Sequence, residues 1–180
     1  MKIVDHPLPG AYVLEPKVFT DDRGFFLESY NHQVFRELGI EESFVQDNHS
    51  RSQRGVLRGL HYQIARPQGK LVRVISGEVR DVFVDLRRSS PTFGHWHGVN
   101  LSQQNHLLVW IPVGFAHGFS VLSESADVVY KTTELYAPEF ERTLLWNDPE
   151  LNIDWQLQSP PLLSDKDRHG LRLSAAPAFP

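Results

Sequence analysis

The sequence contains no cysteine, and this absence excludes several kinds of chemistry. Without a thiol the chain forms no disulfide, binds no metal through thiolates and offers no cysteine nucleophile. Because no disulfide could form in any environment, the composition leaves the cellular compartment open.

Long apolar stretches and clusters of basic residues are also missing. No apolar run approaches the roughly 20 residues that a membrane-spanning helix needs, and the first residues lack the basic and apolar regions of a signal peptide. The formal net charge is -4, without the Lys- or Arg-rich run that nucleic-acid binding requires. We therefore predict a cytoplasmic protein with no nucleic-acid or membrane partner. A few converging cations would still bind a small anion.

The hydrophobic residues that are present favour one all-β domain over residues 1–180. Short alternating runs, separated by Gly, Pro, Asn and Ser, are typical of antiparallel strands. Ser76-Gly77-Glu78 is short enough to be a hairpin turn, and one short helix is predicted over residues 32–38, with Asn31 as N-cap and Gly39 beyond its end. The predicted strands cover residues 25–30, 56–63, 70–76, 79–86, 97–101, 106–111, 115–122 and 128–135.

About eight closely spaced strands indicate a barrel or a double-sheet jelly roll. The mouth of such a barrel binds ligands or water, so polar side chains that point inward become candidates for chemistry. The C-terminal tail, from Pro160 onward, has weak periodicity and is expected to lie over the barrel or to fray.

One predicted strand carries Arg58 and His61 among core residues, and Lys70 opens the next strand. An imidazole and an ammonium group that converge at the barrel mouth are suited to removing a proton beside a carbonyl and holding the enolate. Strict alternation places Arg58 and His61 on opposite faces, so both point inward only if Gly59 marks a bulge. The competing interpretation of His61 is a satisfied histidine on a surface strand.

Four further polar residues are candidates for the chemistry of the site: one histidine, one tyrosine and two aspartates. His117 lies between small residues that permit close approach of a ligand, and Tyr130 in an apolar strand could return a proton. Tyr130 fits a half-buried strand tyrosine equally well. Either Asp165 or Asp167 could orient an imidazole, although an acidic turn is the commoner role.

Two polar segments are ambiguous. Arg23 could bind phosphate oxygens and Glu28 could accept a hydrogen bond, with the intervening aromatic rings beside a base, or the segment is a solvated loop. The stretch that contains Gln46, Asp47 and Asn48 indicates a loop when taken alone.

His95 and His97 have the only spacing that resembles a metal site, because two imidazoles alternate along one possible strand. No glutamate follows within the next twenty residues, so we predict no metal.

Several blocks, in order along the chain from about residue 14 to 167, form a recognisable set. They are LEPKVFTDDRGFFLESYN, FVQDNHSRS, VLRGLHYQ, QGKLVRV, GEVRDVFVDLRRSSPTFGHW, GVNLS, WIPVGFAHGF, YKTTELYAP, LLWNDPELNIDW and LSDKD. Together they resemble the dTDP-4-dehydrorhamnose 3,5-epimerases of the cupin superfamily. Each motif alone is weak evidence for this resemblance, but the ordered set of motifs covers nearly the whole chain.

The resemblance implies a metal-independent, cofactor-free jelly-roll homodimer that binds a dTDP-4-keto-6-deoxyhexose, with parts of each site shared across the dimer. By motif, His61 is the base, Asp167 its carboxylate partner, Lys70 the enolate stabiliser and Tyr130 the opposing acid. The family's ligand-contacting positions correspond to Arg23, Glu28, Gln46, Asp47, Asn48, Arg58, Lys70, His117, Tyr136, Glu141 and Lys166, with Tyr136 as a ring for thymine stacking.

The implied chemistry agrees with these residue types. A ketone at carbon 4 acidifies the protons on carbons 3 and 5, so a base on one face and an acid on the other invert each centre through an enolate. Three alternatives stay open at this point: an epimerase of carbon 3 or carbon 5 alone, a metal-dependent cupin enzyme that uses His95, His97 and His117, and a non-catalytic sugar-binding barrel.

Overall fold

Short β-strands dominate the computed structural model, which describes residues 1–180. The only α-helices are α1 (His32–Glu37) and α2 (Asp165–Arg168), with single 3-10 turns at Pro138–Phe140 and Leu173–Ala175. The strands are β1 (Lys2–Leu8), β2 (Ala11–Glu15), β3 (Val18–Asp21), β4 (Gly24–Leu27), β5 (Gln46–Gln53), β6 (Leu57–Gln63), β7 (Lys70–Ser76), β8 (Glu78–Asp85), β9 (Trp96–Ser102), β10 (Leu108–Ile111), β11 (Phe115–Val121), β12 (Ser125–Thr132) and β13 (Glu141–Thr143).

Two antiparallel sheets enclose the main core. The six-stranded sheet has the order β1-β2-β10-β7-β12-β5, and the five-stranded sheet has the order β13-β6-β11-β8-β9. Inward side chains of both sheets, among them Val72, Phe83, Val109, Phe119 and Val128, form one buried cluster because apolar residues alternate along each strand. The predicted all-β jelly roll is therefore confirmed.

Each sheet is also covered on its outer face. Helix α1 packs Phe35 against Leu14, Leu108 and Trp110 of the six-stranded sheet. The C-terminal tail covers the five-stranded sheet, where Leu173, Ala176 and, just before the tail, Trp155 join Leu60 and Val84. The prediction that the tail lies over the barrel is confirmed. No helix of the structure is long and apolar enough to cross a bilayer.

Most predicted elements are confirmed. Helix α1 begins after Asn31, whose side chain accepts hydrogen bonds from the backbone of Gln33 and Val34, and Gly39 follows with a φ of 83°. All eight predicted strands are present; β7 has the predicted ends, and the other seven have one or both ends shifted. The strands of the first 21 residues and strand β13 were not predicted.

Two local predictions are wrong. Residues 46–53 form edge strand β5 and not a loop, because their backbone pairs with β12 while their polar side chains face a cavity or solvent. Ser76-Gly77-Glu78 does not close a hairpin, since β7 pairs with β10 and β12 whereas β8 pairs with β9 and β11. This turn carries the chain from one sheet to the other.

The irregularity predicted at Gly59 is present in β6. His61 pairs with His117 and Arg58 pairs with Phe119 of β11, so the register shifts between the two pairs. Arg58 and His61 consequently both line the cavity between the sheets. Gly59 has a φ of 125°, and a Cβ atom there would lie 2.5 Å from Gly118 Cα. Only glycine fits this crossing of the two strands.

We expect Gly59→Ala to lower the free energy of unfolding by about 2 to 5 kcal/mol, through backbone strain and overpacking. Gly39→Ala is the control, because Gly39 also has a positive φ, 83°, and an added methyl group there would meet no atom within 4 Å. The free energy of unfolding of the control variant should fall by only about 1 to 2 kcal/mol, because backbone strain is then the sole cost. Denaturant unfolding at one protein concentration measures both variants, and equal losses would contradict the proposed strand crossing.

Candidate active site

A cavity of about 840 Å³ lies between the two sheets. Strands β5 and β12 of the six-stranded sheet form one wall, strands β6 and β11 of the five-stranded sheet form the other, and residues 162–167 contribute from the tail. Its size suits a large polar ligand such as a nucleotide sugar.

His61 and Asp167 form a hydrogen-bonded pair in this cavity. His61 Nε2 lies 2.5 Å from Asp167 Oδ1, and Asp167 is 3% exposed. Ser164 Oγ donates to Asp167 Oδ2 at 2.7 Å, so the carboxylate is held on both oxygens. With Nε2 engaged, Nδ1 is the nitrogen left for a ligand. The neighbouring Asp165 is solvent-exposed and pairs with Arg168, so the structure places Asp167 and not Asp165 on His61.

Burial governs the charge of this pair. Desolvation lowers the pKa of His61 below its usual value, although the hydrogen bond to Asp167 opposes the shift. For Asp167, burial raises the pKa, but hydrogen bonds from His61 and Ser164 outweigh it and leave the pKa below normal. The pair at neutral pH is therefore a neutral imidazole beside a carboxylate, which is the state of a general base.

Lys70 is buried at the start of β7, and its Nζ donates to the backbone oxygen of His61 at 3.2 Å. Desolvation lowers the pKa of Lys70 to about 8, while Asp81 and then Glu141 oppose the shift. The ammonium group therefore stays mostly protonated at neutral pH, as a cation that stabilises an enolate must.

Tyr130 stands on the opposite wall from His61. It lies on β12 of the six-stranded sheet, whereas His61 lies on β6 of the five-stranded sheet, and both line the cavity. Burial raises the pKa of the Tyr130 hydroxyl, which keeps it protonated. The protonated hydroxyl of Tyr130 and the imidazole of His61 thus lie on opposite walls of the cavity.

Asp81 is a site residue that the sequence analysis missed. Its Oδ2 lies 2.8 Å from His117 Nε2, Oδ1 has no hydrogen-bond partner, and the residue is fully buried. His117 lines the cavity beside His61, so the site holds a second histidine–carboxylate pair. One sequence signal was available: Asp81 alternates with Val79 and Phe83, two inward positions of the same strand.

Polar groups ring the mouth of the cavity. Glu141 accepts from Lys166 Nζ at 2.8 Å and from the Tyr136 hydroxyl at 3.1 Å. Burial raises the pKa of Glu141, but Lys166, and to a smaller extent His61 and the Tyr136 hydroxyl, outweigh it and leave the pKa below normal. The remaining predicted residues that line the cavity are Gln46 and Asn48 on the β5 wall and Arg58 on the β6 wall.

Three predicted ligand-contacting residues do not reach this cavity within one chain. Arg23 pairs with Asp21 on the exposed β3–β4 hairpin, and Glu28 accepts from Asn31 at 3.2 Å next to that hairpin. Asp47 points to the outer face of β5 and pairs with Lys131 at 2.9 Å. Their contact with a ligand stays a prediction, because the resemblance implies a site that is shared across the dimer. Within one chain, the hairpin forms a separate two-stranded sheet and strand alternation turns Asp47 outward.

The metal-dependent alternative lacks a ligand set. No group of three or more His, Asp or Glu side chains is close enough together to hold a metal ion. His97 packs near the Phe83 ring, at 5.8 Å between ring centroids, and His117 is engaged by Asp81. His95 and His97 therefore have no third side chain nearby with which they could bind a metal ion.

Comparison with known proteins decides the family. A model of the dTDP-4-dehydrorhamnose 3,5-epimerases matches residues 5–175. The chain belongs to this epimerase family. The predictions of that family and of an epimerase enzyme are therefore confirmed, and the non-catalytic sugar-binding barrel is set aside.

Relatives of this family member cover its full length. A dTDP-4-dehydrorhamnose 3,5-epimerase of Pseudomonas aeruginosa is 62% identical over 181 residues, which covers 100% of both chains. A crystal structure of the 3,5-epimerase of Legionella pneumophila in complex with dTDP-4-keto-L-rhamnose has 52% identity and a TM-score of 0.94, over 97% of this chain and 93% of that chain. A 3'-monoepimerase of Streptomyces bikiniensis, in complex with dTDP-quinovose, has 34% identity and a TM-score of 0.88, over 94% and 86%.

In this family member we expect Asp81→Asn to lower the pKa of Lys70 below about 8, because loss of the carboxylate charge disfavours the ammonium form. Glu141→Gln is the matched control, since Glu141 opposes the shift less than Asp81 does. Titration of the Lys70 ¹³Cε resonance by NMR measures both. An unchanged or higher pKa in Asp81→Asn would show that Asp81 does not act on Lys70 through its charge.

Proposed function

We propose that this epimerase inverts carbons 3 and 5 of dTDP-4-dehydro-6-deoxy-D-glucose to give dTDP-4-dehydro-L-rhamnose, with His61 as base and Tyr130 as acid. The observation that carries the assignment is their placement on opposite walls of one cavity. Inversion requires this arrangement, because the proton must leave one face of the carbon and return to the other.

Each step uses a group in the protonation state that its surroundings favour. His61 Nδ1 takes the proton from the carbon beside the ketone, and the electron pair moves to the carbon 4 oxygen. Lys70 stabilises this enolate, and Asp167 stabilises the imidazolium that has formed. Tyr130 then gives its hydroxyl proton to the opposite face of the carbon. Proton exchange with solvent returns Tyr130 and His61 to their starting states before the second centre reacts.

The mouth of the cavity is proposed to hold the nucleotide. Arg58, Lys166 and His117 offer positive or donor groups to the diphosphate and sugar, and the Tyr136 ring, half exposed, offers a surface on which thymine stacks. Gln46 and Asn48 lie on the facing strand and supply amide groups.

We also propose that the chain acts as a homodimer in which the β3–β4 hairpin completes the partner's site. The hairpin exposes Phe19, Phe25 and Phe26 by 52%, 62% and 68%. Such a cluster of exposed aromatic side chains is typical of an interface. Because Arg23 and Glu28 lie on or beside this hairpin and do not line the chain's own cavity, docking of the hairpin on a second copy would give them a ligand to bind.

The residues 1–180 are proposed to form one domain, since the two sheets draw strands from residues 2 to 143 and the tail covers one of them. The cytoplasmic location stays a prediction from the sequence.

Incubation with dTDP-4-keto-6-deoxyglucose in heavy water tests the reaction. NMR of the wild-type product should show deuterium and inversion at both carbons. We expect His61→Ala to abolish deuterium incorporation at both carbons, and Tyr130→Phe to impair the second protonation more than the exchange. Full exchange in His61→Ala would refute its role as base. Inversion at one carbon only in the wild type would instead indicate a mono-epimerase.

A mixing experiment tests the shared site. In dimers reassembled from equal amounts of Arg23→Ala and His61→Ala chains, half are mixed, and each mixed dimer has one site with neither change. Because the two inactive parents carry separate defects, activity should return to about a quarter of the wild-type value. Unmixed parents at the same total concentration are the controls. No recovery in dimers that have exchanged subunits would place Arg23 and His61 in the same chain's site.

A further inference from the structure

Gln63 is a buried amide that no step of the proposed reaction uses, although it lies on the same strand as His61. It is 3% exposed. Its Nε2 donates to the backbone oxygens of Arg66 at 2.7 Å and Leu135 at 3.3 Å, and its Oε1 accepts from the backbone N–H of Ala137 at 2.9 Å. Gln63 therefore binds the peptide groups on both sides of Tyr136.

The backbone of Tyr136 itself is held from the other sheet. Its N–H donates to Gln46 Oε1 at 2.9 Å, and Gln46 belongs to strand β5. The segment 135–137 thus spans the cavity mouth between two glutamines, one from each sheet. The Tyr136 ring has little packing of its own, because it is 51% exposed. Apart from the hydrogen bond of its hydroxyl to Glu141, the position of the ring therefore depends on how the backbone is held.

We propose that Gln63 is the positioning residue that fixes the Tyr136 ring relative to His61, and so sets the span between nucleobase and reacting sugar. This inference rests on the proposed function, in which Tyr136 stacks on the base. Gln63 and His61 are two residues apart, so both side chains point to the cavity face of β6. The strand that carries the base therefore also anchors the ring that binds the far end of the substrate.

Only an amide can make this set of bonds at this place. The site needs two donors for carbonyl oxygens and one acceptor for an N–H group, and a glutamine side chain supplies all three. A methionine has the same length without these groups, and a glutamate would turn a carboxylate oxygen toward two carbonyls. Gln63→Met therefore removes the anchoring while it retains most of the side-chain volume.

We expect Gln63→Met to raise KM and the Kd of dTDP by about tenfold or more, because the segment 135–137 is released before binding and must be ordered by the ligand. The value of kcat should stay within about threefold of the wild type, since His61, Lys70 and Tyr130 are untouched. Steady-state kinetics and calorimetry with dTDP as the probe measure these changes.

Asn105→Leu is the matched control, because Asn105 is an amide that also makes three backbone hydrogen bonds, to Ser102, Leu107 and Asn100, away from the cavity. It should lower thermal stability without a change in the Kd of dTDP. A fall in kcat as large as the fall in kcat/KM for Gln63→Met, with dTDP binding unchanged, would overturn the inference. So would unfolding of Gln63→Met under conditions in which Asn105→Leu is folded, because Gln63 would then be a general stability residue.

A double-mutant cycle shows whether Gln63 acts through Tyr136. When Tyr136→Ala is already present, adding Gln63→Met should weaken dTDP binding by less than about twofold, whereas independent residues would give additive losses. The dTDP measurements do not need turnover. A wild-type protein that binds dTDP but does not turn over the proposed substrate would therefore refute the proposed reaction and leave the role of Gln63 testable.

Discussion

The close approach of strand β6 to strand β11 at Gly59 and Gly118 is the constraint on which the active site depends. The register of the pair shifts at this point, so that Arg58 and His61 face the same cavity. A regular strand would turn one of them into the apolar layer under the C-terminal tail, where Leu57 and Leu60 pack. A small departure from ideal pairing thus creates the polar wall of an otherwise apolar barrel.

The second determinant of the chemistry is the burial of that wall. Desolvation favours the neutral form of each group, which makes His61 a base, keeps Tyr130 protonated and brings the pKa of Lys70 to about 8. Two carboxylates oppose part of the effect of burial: Asp167 raises the pKa of His61, and Asp81 raises the pKa of Lys70.

Local patterns predicted much of this fold. The apolar alternation located eight strands, and the Asn31 cap with Gly39 located helix α1, because both signals act within a few residues. Strand β5 was missed since its pairing partner lies about 80 residues away, and its polar side chains face a cavity that no local pattern reveals. The turn at Gly77 was misinterpreted for the same reason: its length fits a hairpin, but the flanking strands find partners in different sheets.

The order of the residues was enough to name the chemical groups of the protein and, through ordered motifs, its family. It also indicated Gly59 as the place for an irregularity if both Arg58 and His61 were to point inward, since alternation alone turns them to opposite faces. The folded structure was needed to show that this irregularity is present, which aspartate binds His61, that Asp81 binds His117, and that Arg23 and Glu28 lie away from the cavity of their own chain. The residues in these contacts are far apart along the chain. The pairing of strands and the packing of the sheets set the distances between them, and their sequence neighbours do not.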